Sequence, residues 1–483
     1  MTTQAQSRGA GGSGSRPASE GVSATWFACS GCGTRPAAGA PVPLVCPASV
    51  TGDGIDHVLV RHLDPAAAPF AVTRDANPFI AYRRLFHAWH AARAGGMTDD
   101  AYVAMVERLD DAVAAVDGHG FRVTPFTRSG PLSDALGLSD VGGVWVKDET
   151  GNVSGSHKAR HLFGTLLELE VNGRLQAGGT AQAGGTSAAG VPLAIASCGN
   201  AALAAAVVAR AAGRRLLVFI PPDADSAVVD RLRSLGAELT VCEREPGVAG
   251  DPTYLRLLDA VADGAVPFTC QGNLNAFAVE GGETLGLEMS AAVGRPGGPA
   301  RIDRVVIQVG GGALASSVIA GFASAGLAAI NVDEPRFDTV QTQGAFPLAR
   351  AYERVAARVA AGETIETALA FAANHRPEFM WPWEETPRSV AHGILDDETY
   401  DWQAVVAGML SSGGTPLVVD EATLLAANDL ARAATGIDVD HTGSSGLAGL
   451  LHLARSGALK PDETVVVCFS GISRHPEKES TRS

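Results

Sequence analysis

From Val144 to Phe469 short apolar runs alternate with longer amphipathic ones, and this alternation limits the fold more than any other feature. Val144-Trp145-Val146 reads as a strand, and an amphipathic helix begins near Lys158. Val191 to Ala196 reads as a strand, Ala201 to Ala212 as a helix, Leu216 to Ile220 as a strand, Ala227 to Leu235 as a helix and Leu239 to Cys242 as a strand. Later, Val305 to Val309 precedes a helix from Leu314 to Ala325, and Val465 to Phe469 is the last strand. Parallel neighbours need a crossover too long for a tight turn, so this order implies parallel sheets covered by helices on both faces. The expected class is α/β, with two doubly wound parallel-sheet domains, a ligand cleft between them and an N-terminal extension.

The 483 residues allow two or three domains with large cores. The expected divisions are a tail over 1–22, the extension over 23–120, a large domain over 121–163 and 276–475, a small domain over 164–275, and a tail over 476–483. A formal net charge of −15 argues against nucleic acid and anionic membrane as partners. No apolar run reaches spanning length, and the first twenty residues lack an apolar signal core, which points to the cytoplasm. The seven cysteines are scattered and odd in number, unlike a disulfide framework. Residues 178–190, rich in Gly, Ala, Thr and Ser, read as a flexible loop. In the extension, Tyr82, Leu85, Phe86 and Trp89 form one helical stripe and Tyr102, Met105, Val106 and Leu109 another, both read as core faces.

Cys29-x-x-Cys32 followed by Cys46 is half of a zinc ribbon. The second half fails, because Ser49 stands three residues after Cys46. Asp53, His57 or His62 could supply a fourth ligand, although none has the usual spacing. The sequence favours a metal-free knuckle, with zinc as the alternative.

Four turns carry chemistry. Lys158, in Ser154-Gly155-Ser156-His157-Lys158, sits where a helix begins. A cation there opposes the helix dipole, and a lysine drawn out of water becomes a nucleophile at neutral pH. Ser197-Cys198-Gly199-Asn200 joins a strand to a helix and can cradle a carboxylate with its backbone N–H groups. Gly310-Gly311-Gly312-Ala313-Leu314 does the same and can wrap a phosphate. Gly310-x-Gly312-x-x-Ala315 with Asp333 also matches a dinucleotide fingerprint, so an NAD-binding or non-catalytic protein is a rival reading. Ser470 ends the last strand, where polar residues face a crevice.

In this order the four turns resemble the fold-type II pyridoxal-phosphate (PLP) enzymes, which include tryptophan synthase β, serine and threonine dehydratases, cysteine synthase and threonine synthase. The resemblance runs from about Thr124-Pro125 to Ser473. It implies PLP carried on Lys158, its phosphate held by Gly310, Gly311, Gly312, Ala313 and Leu314, and its 3′-hydroxyl met by Asn200. It also implies that Ser470 faces the pyridine nitrogen and that Ser197, Cys198, Gly199 and Asn200 hold the substrate carboxylate. Glu280-Gly281 resembles the dehydratases' glutamate beside the leaving hydroxyl, which makes Glu280 a candidate acid. A homodimer is a further implication.

Within that group the features divide. Asn77-Pro78-Phe79 with Tyr82, the cysteine-bearing N-terminus and Val340-Gln341-Thr342-Gln343 resemble threonine synthase. Ala201-Ala202 stand where threonine synthases tend to carry hydroxyls, and Gly199 to Ala204 is more similar to a serine dehydratase. Without those hydroxyls, few groups remain to satisfy a phosphorylated substrate. The expected activity is a PLP-dependent lyase acting on an amino acid by Cα deprotonation and β-elimination, or by β-replacement. Threonine synthase acting on O-phosphohomoserine is the alternative. Side-chain selectivity is expected in loops that include 371–402, whose Trp381-Pro382-Trp383-Glu384-Glu385 segment reads as a cover of the core, with a pocket wall as the alternative.

Overall fold

The computed structural model describes residues 24–37, 42–176, 190–244 and 250–474, so the two tails and the loop over 178–189 lie outside the described residues. The strands are β1 Thr25–Cys29, β2 Leu59–Leu63, β3 Phe126–Ser129, β4 Gly143–Asp148, β5 Leu193–Ala196, β6 Leu216–Ile220, β7 Glu238–Val241, β8 Val266–Pro267, β9 Arg304–Gln308, β10 Arg336–Thr342, β11 Pro416–Val419 and β12 Thr464–Phe469. A six-stranded sheet has the order β11-β10-β9-β12-β4-β3, and a four-stranded sheet the order β7-β6-β5-β8. All pairs in both are parallel except β3 with β4. β1 and β2 form a separate antiparallel hairpin.

The middle of the large sheet is buried on both faces. Val305 and Ile307 of β9 join one core while Val306 joins the other, and Val466 and Val465 of β12 divide the same way. This period of two, with apolar residues on either side, is what a sheet covered by helices on both faces requires. The extension's two stripes bury into a third core with the helix Lys158–Gln176. Thr98 caps the helix Asp99–Asp117 by accepting from Ala101 N–H, and Tyr102, Met105, Val106 and Leu109 are its buried face.

The Lys158 helix crosses the helix Ala278–Ala292 at glycine. A Cβ on Gly164 would lie 2.8 Å from Gly281 Cα, so only bare backbones can approach this closely there. Beneath this crossing, Arg160, Lys147, Glu149 and Glu288 form a buried ion network. Arg160 donates to Glu149 at 2.8 Å and to Glu288 at 2.6 Å, and Lys147 reaches Glu288 at 2.5 Å. Each charge has an opposite partner, as a buried charge must.

Candidate active site

Lys158 is the first residue of its helix and is half-buried. The turn before it holds Ser154 in the left-handed region at φ 57. This turn is zipped to the segment after β12, since Ser156 bridges Gly471, Ile472 N–H donates to Gly155 O, and His157 N–H donates to Ser470 O. Lys158 and Ser470 are therefore fixed side by side because β4 and β12 are parallel neighbours. Burial holds His157 well below the usual imidazole range and pushes His161 down to about 3, so both rings are neutral.

Asn200 opens the helix that follows β5, so it comes from the small sheet. It reaches the same place: its Nδ2 lies 2.6 Å from where a Cβ on Gly471 would stand, and its Oδ1 accepts from Arg474 at 2.9 Å. Ser197, Cys198 and Gly199 are half-buried beside it, and Gly199 N–H approaches Ser197 Oγ at 3.4 Å. Burial raises the Cys198 thiol.

The Gly310 to Gly312 turn joins β9 to the helix Ala313–Ala325, which carries Ala313 and Leu314 in its first turn. Gly312 has φ +99, open to glycine at little strain. Across the turn lies part of the 371–402 stretch, in which sequence reasoning named no site residue. Thr399 donates to Gly310 O at 2.9 Å, Asp401 N–H donates to Gly311 O at 3.0 Å, and the Asp396 carboxylate lies against Gly310 and Gly311. Burial pushes Asp396 up to about 6 and Asp401 to about 7, and the charge of Lys158 opposes both shifts. Two carboxyls thus share the cleft with the lysine.

Ser470 is buried, and its Oγ accepts from Gln308 Nε2 at 2.7 Å. That leaves its O–H free to donate. Sequence reasoning missed Gln308, whose one signal was a polar residue ending a buried apolar strand just before the glycine turn. Glu280 is held in an ion pair. Its carboxyl pairs with Arg61 Nε at 2.7 Å and accepts from His87 N–H at 3.0 Å. Burial raises it to about 7 against the pull of Arg61. With Arg61 and Asp401 it lines a cavity of about 290 Å³. Cys29, Cys32 and Cys46 lie apart from the cleft, clustered with His57.

The residues present fit a phosphorylated aromatic aldehyde. The glycine turn opens a helix and already faces an anion, the Asp396 carboxylate, as a phosphate cradle does. Beside Lys158, Ser156 Oγ and His157 Nε2 are buried without a partner, which suits a polar ligand.

A family model described as "Pyridoxal-phosphate dependent enzyme" matches residues 119–471. The chain belongs to this family, and its cofactor is PLP. A threonine synthase of Methanosarcina acetivorans is 25% identical over 353 residues, 72% of this chain and 74% of that protein. A serine dehydratase-like protein of Rattus norvegicus is 29% identical over 211 residues, 42% of this chain and 55% of that one. Among solved structures, diaminopropionate ammonia lyase from Escherichia coli superposes with a TM-score of 0.56 at 15% identity, covering 86% of this chain and 94% of that one. Maize serine racemase does so with a TM-score of 0.55 at 17% identity, covering 78% and 96%. The NAD reading falls with the family match, and geometry shows why it misled. Asp333 is exposed and precedes β10, whereas a ribose-binding acid belongs at a strand's carboxyl end.

Proposed function

We propose that this chain is a PLP-dependent lyase that deprotonates an amino acid at Cα and eliminates its β-substituent, as serine and threonine ammonia-lyases do, or replaces it. One observation carries the reading: Lys158, Asn200, Gly310 to Gly312 and Ser470 come from two parallel sheets and meet at their strands' carboxyl ends. In this reading residues 121–163 and 276–475 bind the cofactor, and 164–275 cover the substrate.

PLP, when bound, supplies an electron sink that makes the Cα proton acidic. The Lys158 amine, released when substrate arrives, takes that proton as general base. Ser197 to Asn200 hold the substrate carboxylate with backbone N–H groups. The Ser470 hydroxyl, set by Gln308, would face the pyridine nitrogen of bound PLP, and a neutral donor there would restrain the sink in favour of elimination. Asp401, raised by burial to about 7, is a proton donor to a leaving hydroxyl at neutral pH. Glu280, tied to Arg61, is the second candidate for that role.

Threonine synthase on O-phosphohomoserine is the weaker reading. Ala201 and Ala202 offer no hydroxyl to a second phosphate. A panel of amino acids followed by cofactor absorbance and oxo-acid formation tests the proposal. Oxo acid and ammonia from a hydroxy amino acid are expected. Phosphate released from O-phosphohomoserine with threonine formed would overturn it. We further propose a homodimer in the cytoplasm. Among the described residues no helix is long and apolar enough to cross a membrane, and all seven cysteines are free.

A further inference from the structure

The N-terminal cysteines and one histidine are arranged as a closed tetrahedral metal site. Cys29 ends β1, Cys32 lies in the turn after it, Cys46 comes from the next loop, and His57 stands two residues before β2. Four donor atoms, one from each, lie within 4.8 Å of one another. Two of the separations can be checked against a metal. Zinc bound tetrahedrally at Zn–S of about 2.3 Å and Zn–N of about 2.05 Å places two sulfurs about 3.8 Å apart and a sulfur and a nitrogen about 3.6 Å apart. Cys32 Sγ and Cys46 Sγ are 3.7 Å apart, and Cys29 Sγ and His57 Nδ1 are 3.6 Å apart. A disulfide would need about 2.05 Å.

The histidine is also set for a metal. Its Nε2–H donates to Asp53 Oδ2 at 2.8 Å, and the other oxygen of Asp53 accepts from Ile55 N–H at 2.9 Å. Such a carboxylate fixes the tautomer and turns the lone pair of Nδ1 towards the sulfurs. Cys29, Cys46 and His57 are buried, and Cys32 is half-buried. Backbone bonds close the turn, from Gly33 N–H to Cys29 O and from Cys29 N–H to Thr34 O.

We propose that Cys29, Cys32, Cys46 and His57 bind one structural Zn²⁺. Four protein ligands leave no open position, so the ion does no chemistry. Its effect is on the walls of the site. It joins the turn after β1, the Cys46 loop and the start of β2, and β2 carries Arg61 to Glu280 and Glu283. Asp56, next to His57, pairs with Arg376 at 3.1 Å. The fourth ligand is the histidine that sequence spacing did not single out.

The test uses the full chain, purified without chelator under reducing conditions. About one zinc per chain is expected by elemental analysis, and Cys46→Ser and His57→Ala should hold less than about a tenth of that. Cobalt replacing zinc should give the intense visible bands of tetrahedral thiolate coordination. Asp53→Asn keeps every ligand and should fold, and it should weaken zinc binding by about 10- to 100-fold in a competition with a chromophoric chelator. A parent protein that holds no zinc and takes up neither Zn²⁺ nor Co²⁺ would overturn the proposal. So would zinc retained in both Cys46→Ser and His57→Ala, a Cys32–Cys46 disulfide found by mass spectrometry, or unchanged affinity in Asp53→Asn.

Discussion

Replacing Glu168 by Gln is expected to stabilise the folded enzyme at neutral and alkaline pH and to leave it unchanged in acid. Glu168 is fully buried on the Lys158 helix. One oxygen accepts from Asn172 at 3.0 Å and the other has no partner. Burial, with the nearby Glu280 carboxylate adding to it, raises Glu168 from 4.5 to about 8. Between those two values the folded state holds a proton that the unfolded chain has released. Stability from this group is therefore complete below pH 4.5 and is lost as pH rises towards 8. At 1.36 kcal/mol per unit, the loss is about 3 kcal/mol at pH 7 and about 4 kcal/mol at pH 8, where the folded group is half ionised. Gln keeps the acceptor that Asn172 uses and carries no charge at any pH. The assay is urea unfolding of the parent and of Glu168→Gln at pH 4.5, 6, 7 and 8, at one fixed cofactor concentration because ligand adds its own stability. The difference between the proteins should open from near zero at pH 4.5 towards a few kcal/mol at pH 8. A difference that stays flat with pH, or a variant less stable at pH 8, would refute the buried neutral carboxyl.

Three other outcomes follow from the same geometry. In Lys158→Ala, borohydride should no longer fix PLP to the chain by mass spectrometry and turnover should fall by at least about 10³-fold; Lys147 cannot substitute because it is fully buried on Glu288. Asp396→Asn should tighten PLP binding to the apoenzyme by about tenfold at pH 8, since a carboxylate against Gly310 and Gly311 opposes the phosphate. That gain should shrink below pH 6, where Asp396 is protonated, and pyridoxal without phosphate should show none of it. Arg61→Met should cost about 3–5 kcal/mol in the urea midpoint because it strands Glu280 and Glu283, and adding Glu283→Gln should recover part of the loss.

The fold was legible where burial makes the sequence monotonous. β4, β6, β9 and β12 are apolar on consecutive positions because helices cover both faces, and the helices following β5 and β9 begin at the turns the small residues mark. β1, β2, β3 and β11 were not legible. They are short, at sheet edges or in the hairpin, and Arg61 of β2 finds its partner Glu283 only far along the chain. The site divides on the same line. Lys158, Asn200, the glycine turn and Ser470 each sit at a strand-to-helix or strand-end turn, so their order could be read. Asp396, Thr399 and Asp401 stand between helices in an irregular segment, and only the contact with Gly310 to Gly312 gives them meaning. His57 stayed one of three candidate fourth ligands in the sequence because its loop, not its spacing, brings it to the sulfurs.

The carboxyls in that irregular segment bear on which substrate the cleft admits. Lys158 brings one positive charge; Asp396 and Asp401 bring two acidic groups, each raised by burial close to neutrality. A phosphate at the glycine turn brings a like charge against the Asp396 carboxylate, which raises it further and keeps it protonated. The cleft therefore accommodates one phosphate, the cofactor's, by protonating a carboxyl that is already half-way to neutral at pH 6. A second phosphate on the substrate would meet Ala201 and Ala202, which carry no hydroxyl, beside Asn200. In the proposed reading, the loss of those hydroxyls weighs against the threonine synthase reaction.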